Sequence, residues 1–348
     1  ESAVKRSPVR MTAASLLALA AAAVAWGEAP GPARAAPLVL KADDFRSYAD
    51  AFNASDNELY QGHFPNAAAW DFLKDNIPLL DCPDEELQRT YYFRWWTYRK
   101  HIKRTPSGWI VDEFLPDVSW AGKHNAISCP AGHHLYEGRW LRDPQYLDAY
   151  TAFWFGPDGD PRRYSFWAAD AVWQRACVSG DTALPVRLLP GLIANYETWE
   201  KTHLDPNGLY WQVDDRDGME CSISGSLHPK KQGYRATINS YQYGDALAIT
   251  RIADIAGQPE VAREYREKAA ALKKLVQEKL WDPNAQFFKV IPRGGAAFSD
   301  ARELHGFTPW YVNLPDPQYA VAWKQAVEPQ GFFAPFGLTS AEQRHPKY

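Results

Sequence analysis

Four acids, Asp214, Asp215, Asp217 and Glu220, fall within seven positions of one stretch, Gly208 to Asp245, beside Tyr210 and Trp211. Aromatic rings stack on the apolar faces of pyranose sugars. A carboxyl held against such rings has its ionised form disfavoured, which suits it to donate a proton as a general acid. The pattern therefore points to sugar chemistry, with Trp211 as a stacking platform. A solvated acidic turn or a calcium loop is the plainer reading of the same acids. Helical patterns flank the stretch, so it reads as a long structured loop, and such loops inside compact domains usually carry function.

Something large must position that loop. The chain has 348 residues, 46% of them hydrophobic, enough for one large core or two ordinary ones. A net charge of −4 supplies no basic field and excludes nucleic acid as a partner. Fifteen Trp, 18 Tyr and 16 Phe stand against 2 Met, an excess of rings that suits a carbohydrate cleft. Residues 1–36 read as a signal peptide: Lys5, Arg6 and Arg10 lead, Thr12 to Trp26 is apolar, and Ala33-Arg34-Ala35 offers a cleavage site. The expectation is bacterial export, with no stable membrane insertion after cleavage. Cys82, Cys129, Cys177 and Cys221 are widely spread, without metal-ligand spacing. No metal or cofactor is expected.

The remaining chain is patterned for helices. Residues 37–65 read as an entry segment with a strand or two. Helices are predicted over 66–80 and 82–104, the second with Asp84, Glu85 and Glu86 at its start and Arg99, Lys100, Lys103 and Arg104 at its end. Tyr92, Trp95, Trp96 and Arg99 recur on its core face. After a loop (105–125) and a buried helix around Pro130, helix pairs meet at tight turns near Arg142, Gly180, Gly257 and Pro315. In each pair the first helix is small and apolar, as at Ala246, Ala248, Ile249 and Ile252. The second carries charge along one side, as at Glu260, Arg263, Glu264 and Glu267. An inner ring wrapped by an outer ring is an all-α (α/α)6 barrel, placed here over residues 66–348. Five hairpins are countable where a six-hairpin toroid has one more, so the barrel is expected to be incomplete and the chain a fragment.

Five stretches, YSFWAADAVWQRACVSGD, WQVDDRDGMECSIS, INSYQYGDALAITRIADIAGQ, LVQEKLWDPNAQFFKV and RELHGFTPWYVNLPDP, resemble the mannosylglycerate hydrolase-like glycoside hydrolases. These are six-hairpin glycosidases of the clan that also holds α-glucosidase I and trehalase. The resemblance implies an (α/α)6 barrel and inverting hydrolysis of a small glycoside or oligosaccharide. The family's general acid lies in a motif like S-G-M-D. Asp217-Gly218-Met219-Glu220 matches it with Glu in place of Asp, so the acid falls on Glu220, with Asp217 as the runner-up. The family's base is a Glu after a W-x-G-P-x-W segment. Neither occurs here, and the resemblance implies a base past Tyr348.

Other residues are candidates for holding substrate. Trp120, His124 and Asn125 share a loop that a barrel places at its mouth, although loop packing explains them equally well. Tyr164 and Trp167 begin one inner helix, and Asn239 and Gln242 begin another. Arg302 and Glu303 either bind substrate or pair with each other, and Glu303 is the one other acid in the chain considered for the role of base. Two further readings stay open: a polysaccharide lyase using His124, Asn125, Tyr136 and Arg139, and a non-catalytic carbohydrate-binding barrel. The acidic loop would repel the polyanion that a lyase needs.

Overall fold

The computed structural model describes residues 40–228 and 230–348; the expected signal peptide at 1–36 lies outside the described residues. Three helical hairpins carry the body of the fold. They are α4 (Ala131–Gly138) with α5 (Gln145–Trp154), α6 (Ala168–Ser179) with α7 (Ala183–His203), and α8 (Ala236–Ile255) with α9 (Pro259–Lys279). Helix α6 packs between α4 and α8, so the first members of the pairs form the inner row. Sixteen of the 20 residues of α8 are buried. A helix enclosed on every side must be made of small and apolar residues, which is what Ala246, Ala248, Ile249, Ile252 and Ala253 supply. Helix α9 buries only Ala262, Tyr265, Ala269, Leu272 and Val276, one stripe at helical spacing, and gives its charges to solvent. Gly180 and Gly257 close the inner helices with φ of 72° and 69°, where a side chain would be strained. This is the all-α toroid of helix pairs that the inner and outer patterning predicts.

The first helices stand apart from that row. Helix α1 (Arg46–Ser55) lies on α3 (Glu85–His101), with Tyr48 stacked on Tyr92 and Phe52 against Trp96. Tyr92, Trp95, Trp96 and Arg99 are all buried, as their spacing requires. Asp84 caps α3 by accepting from the Leu87 amide at 3.0 Å.

Four stretches differ from the sequence pattern. The entry segment holds helix α1 rather than strands. Helix α2 (Ala69–Asn76) stops short of Leu80 because Ile77 precedes Pro78 and is extended. The basic end of the 82–104 helix leaves the helix at Ile102 and becomes β1 (Ile102–Thr105), paired antiparallel with β2 (Gly108–Val111). The pair around Pro315 is broken: α10 (Thr308–Tyr311), a 3-10 run over Pro317–Trp323 and α11 (Lys324–Val327) replace two helices. Pro309, Pro315 and Pro317 leave no room for a longer run. The Gly208–Asp245 loop is tied by β3 (Trp211–Val213) and β4 (Gln232–Tyr234), and β4 continues to β7 (Ile291–Pro292) past the short β5 (Trp281–Asp282) and β6 (Phe287–Phe288) hairpin.

Candidate active site

Strands β3 and β4 bring the two ends of the acidic loop together. Inside it the acids have different fates. Asp214 is sealed against Arg235, each side chain 1% exposed, at 2.9 Å, and also accepts from the Ser222 hydroxyl. Gly225 lies so close that an added Cβ would stand 2.3 Å from an oxygen of that carboxylate. Asp217 is buried as well, and the hydroxyls of Ser165 and Thr237 each donate to one of its oxygens. Burial raises its pKa, against the opposing pull of Arg235, those hydroxyls and His305. Asp215 reaches outward to Lys231 at 3.1 Å.

Gly218, at φ 71°, then turns the chain back, and the Met219 amide returns to the Asp214 carbonyl at 3.0 Å. This reversal sends Glu220 to the surface on the other side. Among the described residues only its backbone carbonyl is engaged, by Lys231 at 3.4 Å. The loop is fixed just beyond by Glu303, whose buried carboxylate accepts from the amides of Ile223 at 2.7 Å and Ser224 at 3.1 Å. Burial would raise the pKa of Glu303, but His305 at 3.4 Å and those donors outweigh it and hold the group at about 2.

Glu220, Glu303 and His305 line a cavity of about 640 Å³, together with Met219, Thr308 and Lys347. Leu304 and Thr308 also belong to a second cavity of about 510 Å³, which is walled by Trp167, Tyr241, Trp310, Tyr311 and Trp323. Trp167 centres that wall: its ring lies 5.0 Å from Tyr241, 5.0 Å from Tyr311 and 4.8 Å from His133. It is placed there as the residue ahead of α6, with its indole edge against Gly132 of α4.

One acid escaped the sequence reading. Glu113 follows β2, stands exposed, and is pushed up in pKa by partial burial and then by the charge of Glu220. Cys129 feels Glu113, Glu220 and Asp217 together, and burial above all pushes its thiol up to about 12. Cys129 also lies under the loop, its Sγ 3.1 Å from where a Cβ of Gly218 would be. The signal was present in GWIVDEFLPD, an acidic pair at the end of a continuous apolar run. Asp112 of that pair is buried beside Lys103, and burial raises its carboxyl to about 6.

The structure distributes the other candidates widely. Trp167 lines the aromatic cavity. Trp211 does not lie beside Glu220; its ring is stacked between His203 at 4.6 Å and the Arg293 guanidinium at 3.8 Å, and Tyr210 is core. The rings expected to shield the acid therefore serve the barrel wall. Asn239 is buried and holds both the amide and the carbonyl of Tyr210 at 2.8 Å. Gln242 is buried in the same helix, and its Oε1 has no partner among the described residues. Asn125 ties its own loop, accepting from Val118 at 2.9 Å and donating to Phe114 and Pro116. His124 meets Ser107 at 2.7 Å, while Ser107 donates onward to Asp158. That order puts serine between the other two, which is not the wiring of a nucleophilic triad. Trp120 is exposed against Phe114, and Tyr164 lies under the Arg216 guanidinium at 5.1 Å. Arg302 and Glu303 do not pair: Arg302 binds Glu342 at 2.6 Å and the Ala285 carbonyl. Among the described residues no helix is long and apolar enough to cross a membrane, and no group of three His, Cys, Asp or Glu is placed to hold a metal ion.

Comparison with known proteins bears on this arrangement. The family model described as "Mannosylglycerate hydrolase MGH1-like glycoside hydrolase domain" matches residues 123–348. A solved chain named "Sialidase" is 44% identical over 88% of this chain with a TM-score of 0.85, and this chain spans 29% of its length. The GH63 mannosylglycerate hydrolase from Thermus thermophilus, solved with glucose, is 15% identical with a TM-score of 0.54, covering 68% of this chain and 76% of its own. A rhamnosidase from Klebsiella oxytoca, solved with rhamnose, is 14% identical at a TM-score of 0.51, covering 73% and 50%. The last two likenesses are likenesses of fold.

Proposed function

The chain belongs to the mannosylglycerate hydrolase MGH1-like glycoside hydrolase family, and on that premise we propose that it serves the inverting hydrolysis of an O-glycosidic bond in a small glycoside or oligosaccharide, with Glu220 as general acid. The observation that carries this reading is the orientation of the loop's acids. Asp214 and Asp217 are consumed by internal partners, whereas Glu220 faces the cavity with its carboxyl available. Glu220 protonates the departing oxygen. A second carboxylate, about 6.5–9.5 Å away in such enzymes, activates water on the opposite face of the sugar. That base is proposed to be a Glu outside this sequence, as the family resemblance implies, and the protein is proposed to be exported on the strength of residues 1–36.

Two carboxamide substitutions test the reading in the full polypeptide. Glu220→Gln keeps the shape and removes the transferable proton. It should lower kcat by about 10²–10⁴-fold on an alkyl glycoside, and far less on a nitrophenyl glycoside, whose leaving group needs little protonation. If Asp217→Asn shows that leaving-group dependence and Glu220→Gln does not, the acid is Asp217. Glu113→Gln should leave turnover measurable; complete loss would place the base within this chain. Proton NMR of the first-formed anomer reads inversion directly.

A further inference from the structure

The cleft has two compartments of contrasting chemistry. The one around Glu220 carries the ionisable side chains of Glu220, Glu303, His305 and Lys347. The other is an aromatic enclosure of about 510 Å³ that shares Leu304 and Thr308 with the first. Resting on the hydrolase reading, the geometry points to a neutral aryl glycoside as the substrate class, with the sugar beside Glu220 and an aromatic aglycone between the rings of Trp310, Tyr311 and Trp323.

Three observations carry this. First, the enclosure adjoins the cavity that Glu220 lines, Leu304 and Thr308 belonging to both, so a substrate with its glycosidic oxygen near Glu220 would place its two halves in different compartments. A sugar ring brings hydroxyls that need partners, and the side around Glu220 offers them. An aryl ring needs faces and edges, and the aromatic side offers those. Second, much of the ring surface is open: Tyr311 is 44% and Trp323 is 42% exposed. Core packing does not consume them. Trp323 stacks on Phe307 with 4.4 Å between centroids, and Tyr311 stacks on Tyr136 at 5.4 Å, leaving the remaining faces for a ligand.

Third, the enclosure is uncharged. Among the described residues no Lys or Arg lines it. Its one basic group, His133, is pushed down in pKa by burial, which keeps the imidazole neutral at pH 7. Burial likewise pushes the Tyr311 phenol up to about 12 and the Tyr241 phenol well above its ordinary value. An aglycone bearing a carboxylate would find no cation there, and would lie toward the charge of Glu303. Lys347 lines the compartment around Glu220 instead.

The test is equilibrium binding of non-hydrolysable thioglycosides across a panel of neutral hexoses, read by calorimetry. For the sugar that binds, the phenyl thioglycoside should bind about tenfold more tightly than its methyl counterpart, and a carboxyalkyl thioglycoside no better than methyl. Tyr311→Ala and Trp323→Ala, both at exposed positions, should each erase most of the phenyl preference and leave methyl affinity unchanged. Equal affinity for phenyl and methyl, or equal loss of both in the variants, overturns the inference. The two readings fail separately. Phenyl preference without hydrolysis of any glycoside by the full polypeptide supports the aromatic compartment and removes the hydrolase. Hydrolysis without phenyl preference removes only the aryl specificity.

Discussion

On the barrel side of the segment from Asp214 to Gly225, Asp214 and Asp217 are enclosed by Arg235, Ser165, Thr237 and Ser222. On the cavity side, three residues beyond Asp217, Glu220 stands in the open. The same functional group is thus used in two ways within seven positions, as an anchor at Asp214 and Asp217 and, in the proposed mechanism, as a reagent at Glu220. A buried carboxylate is tolerated only when its lone pairs are met, so the anchors are committed to a single geometry. That commitment is what allows Glu220 to be presented on an irregular loop without support of its own. Glu303 completes the frame from a segment 83 positions further along.

The contrast can be broken at its strongest anchor. Arg235→Met leaves Asp214 buried without its cation, and should cost about 3–5 kcal/mol in urea unfolding of the full-length protein. A loss below about 1 kcal/mol would show that Asp214 finds another partner. Acid should release Glu303 next. Its folded pKa of about 2 lies below the ordinary 4.5, so its contribution is complete above about pH 4.5 and disappears as pH falls through about 2. That amounts to on the order of 3 kcal/mol. The stability gap between wild type and Glu303→Gln should therefore close over that window, and a gap independent of pH would contradict it. Asp217→Ala strands the hydroxyls of Ser165 and Thr237 and should cost about 1–3 kcal/mol. Smallest of all, Glu220→Gln should leave the unfolding free energy within about 0.5 kcal/mol of wild type, although the proposed role predicts a large loss of turnover on an alkyl glycoside. A destabilisation comparable to that of Asp217→Ala would make Glu220 an anchor too.

The inner and outer helices were legible because burial on all sides and burial on one stripe leave different residue patterns, as α8 and α9 do. Gly180 and Gly257 marked two hairpin turns because the left-handed cap selects glycine. The β1–β2 hairpin was not legible. Its residues continue the basic end of α3, and a charge run suits a helix end as well as an exposed strand. Around Pro315 the turn was visible, but the prolines that marked it also broke the flanking helices. The site divides in the same way. The acids could be found by type, and Glu220 was picked out from them by its motif. That Trp211 would turn to His203 and Arg293 was set by the β3–β4 pairing, a contact across more than twenty residues that spacing does not encode. Glu113 was missed because its charge is felt near Glu220 only in three dimensions.

The closeness of Gly132 to Trp167 makes that glycine an adjustable stop. A Cβ at position 132 would come within 2.5 Å of the indole, so even alanine must displace the ring. Nearby, that ring forms one wall of the aromatic enclosure. A change of one methyl group, outside the acid loop and remote from Glu220 in sequence, would therefore resize the chamber and leave the acid in place. Protein engineers could use position 132 as a bore adjustment, tuning which ligands are admitted without rebuilding the chemistry.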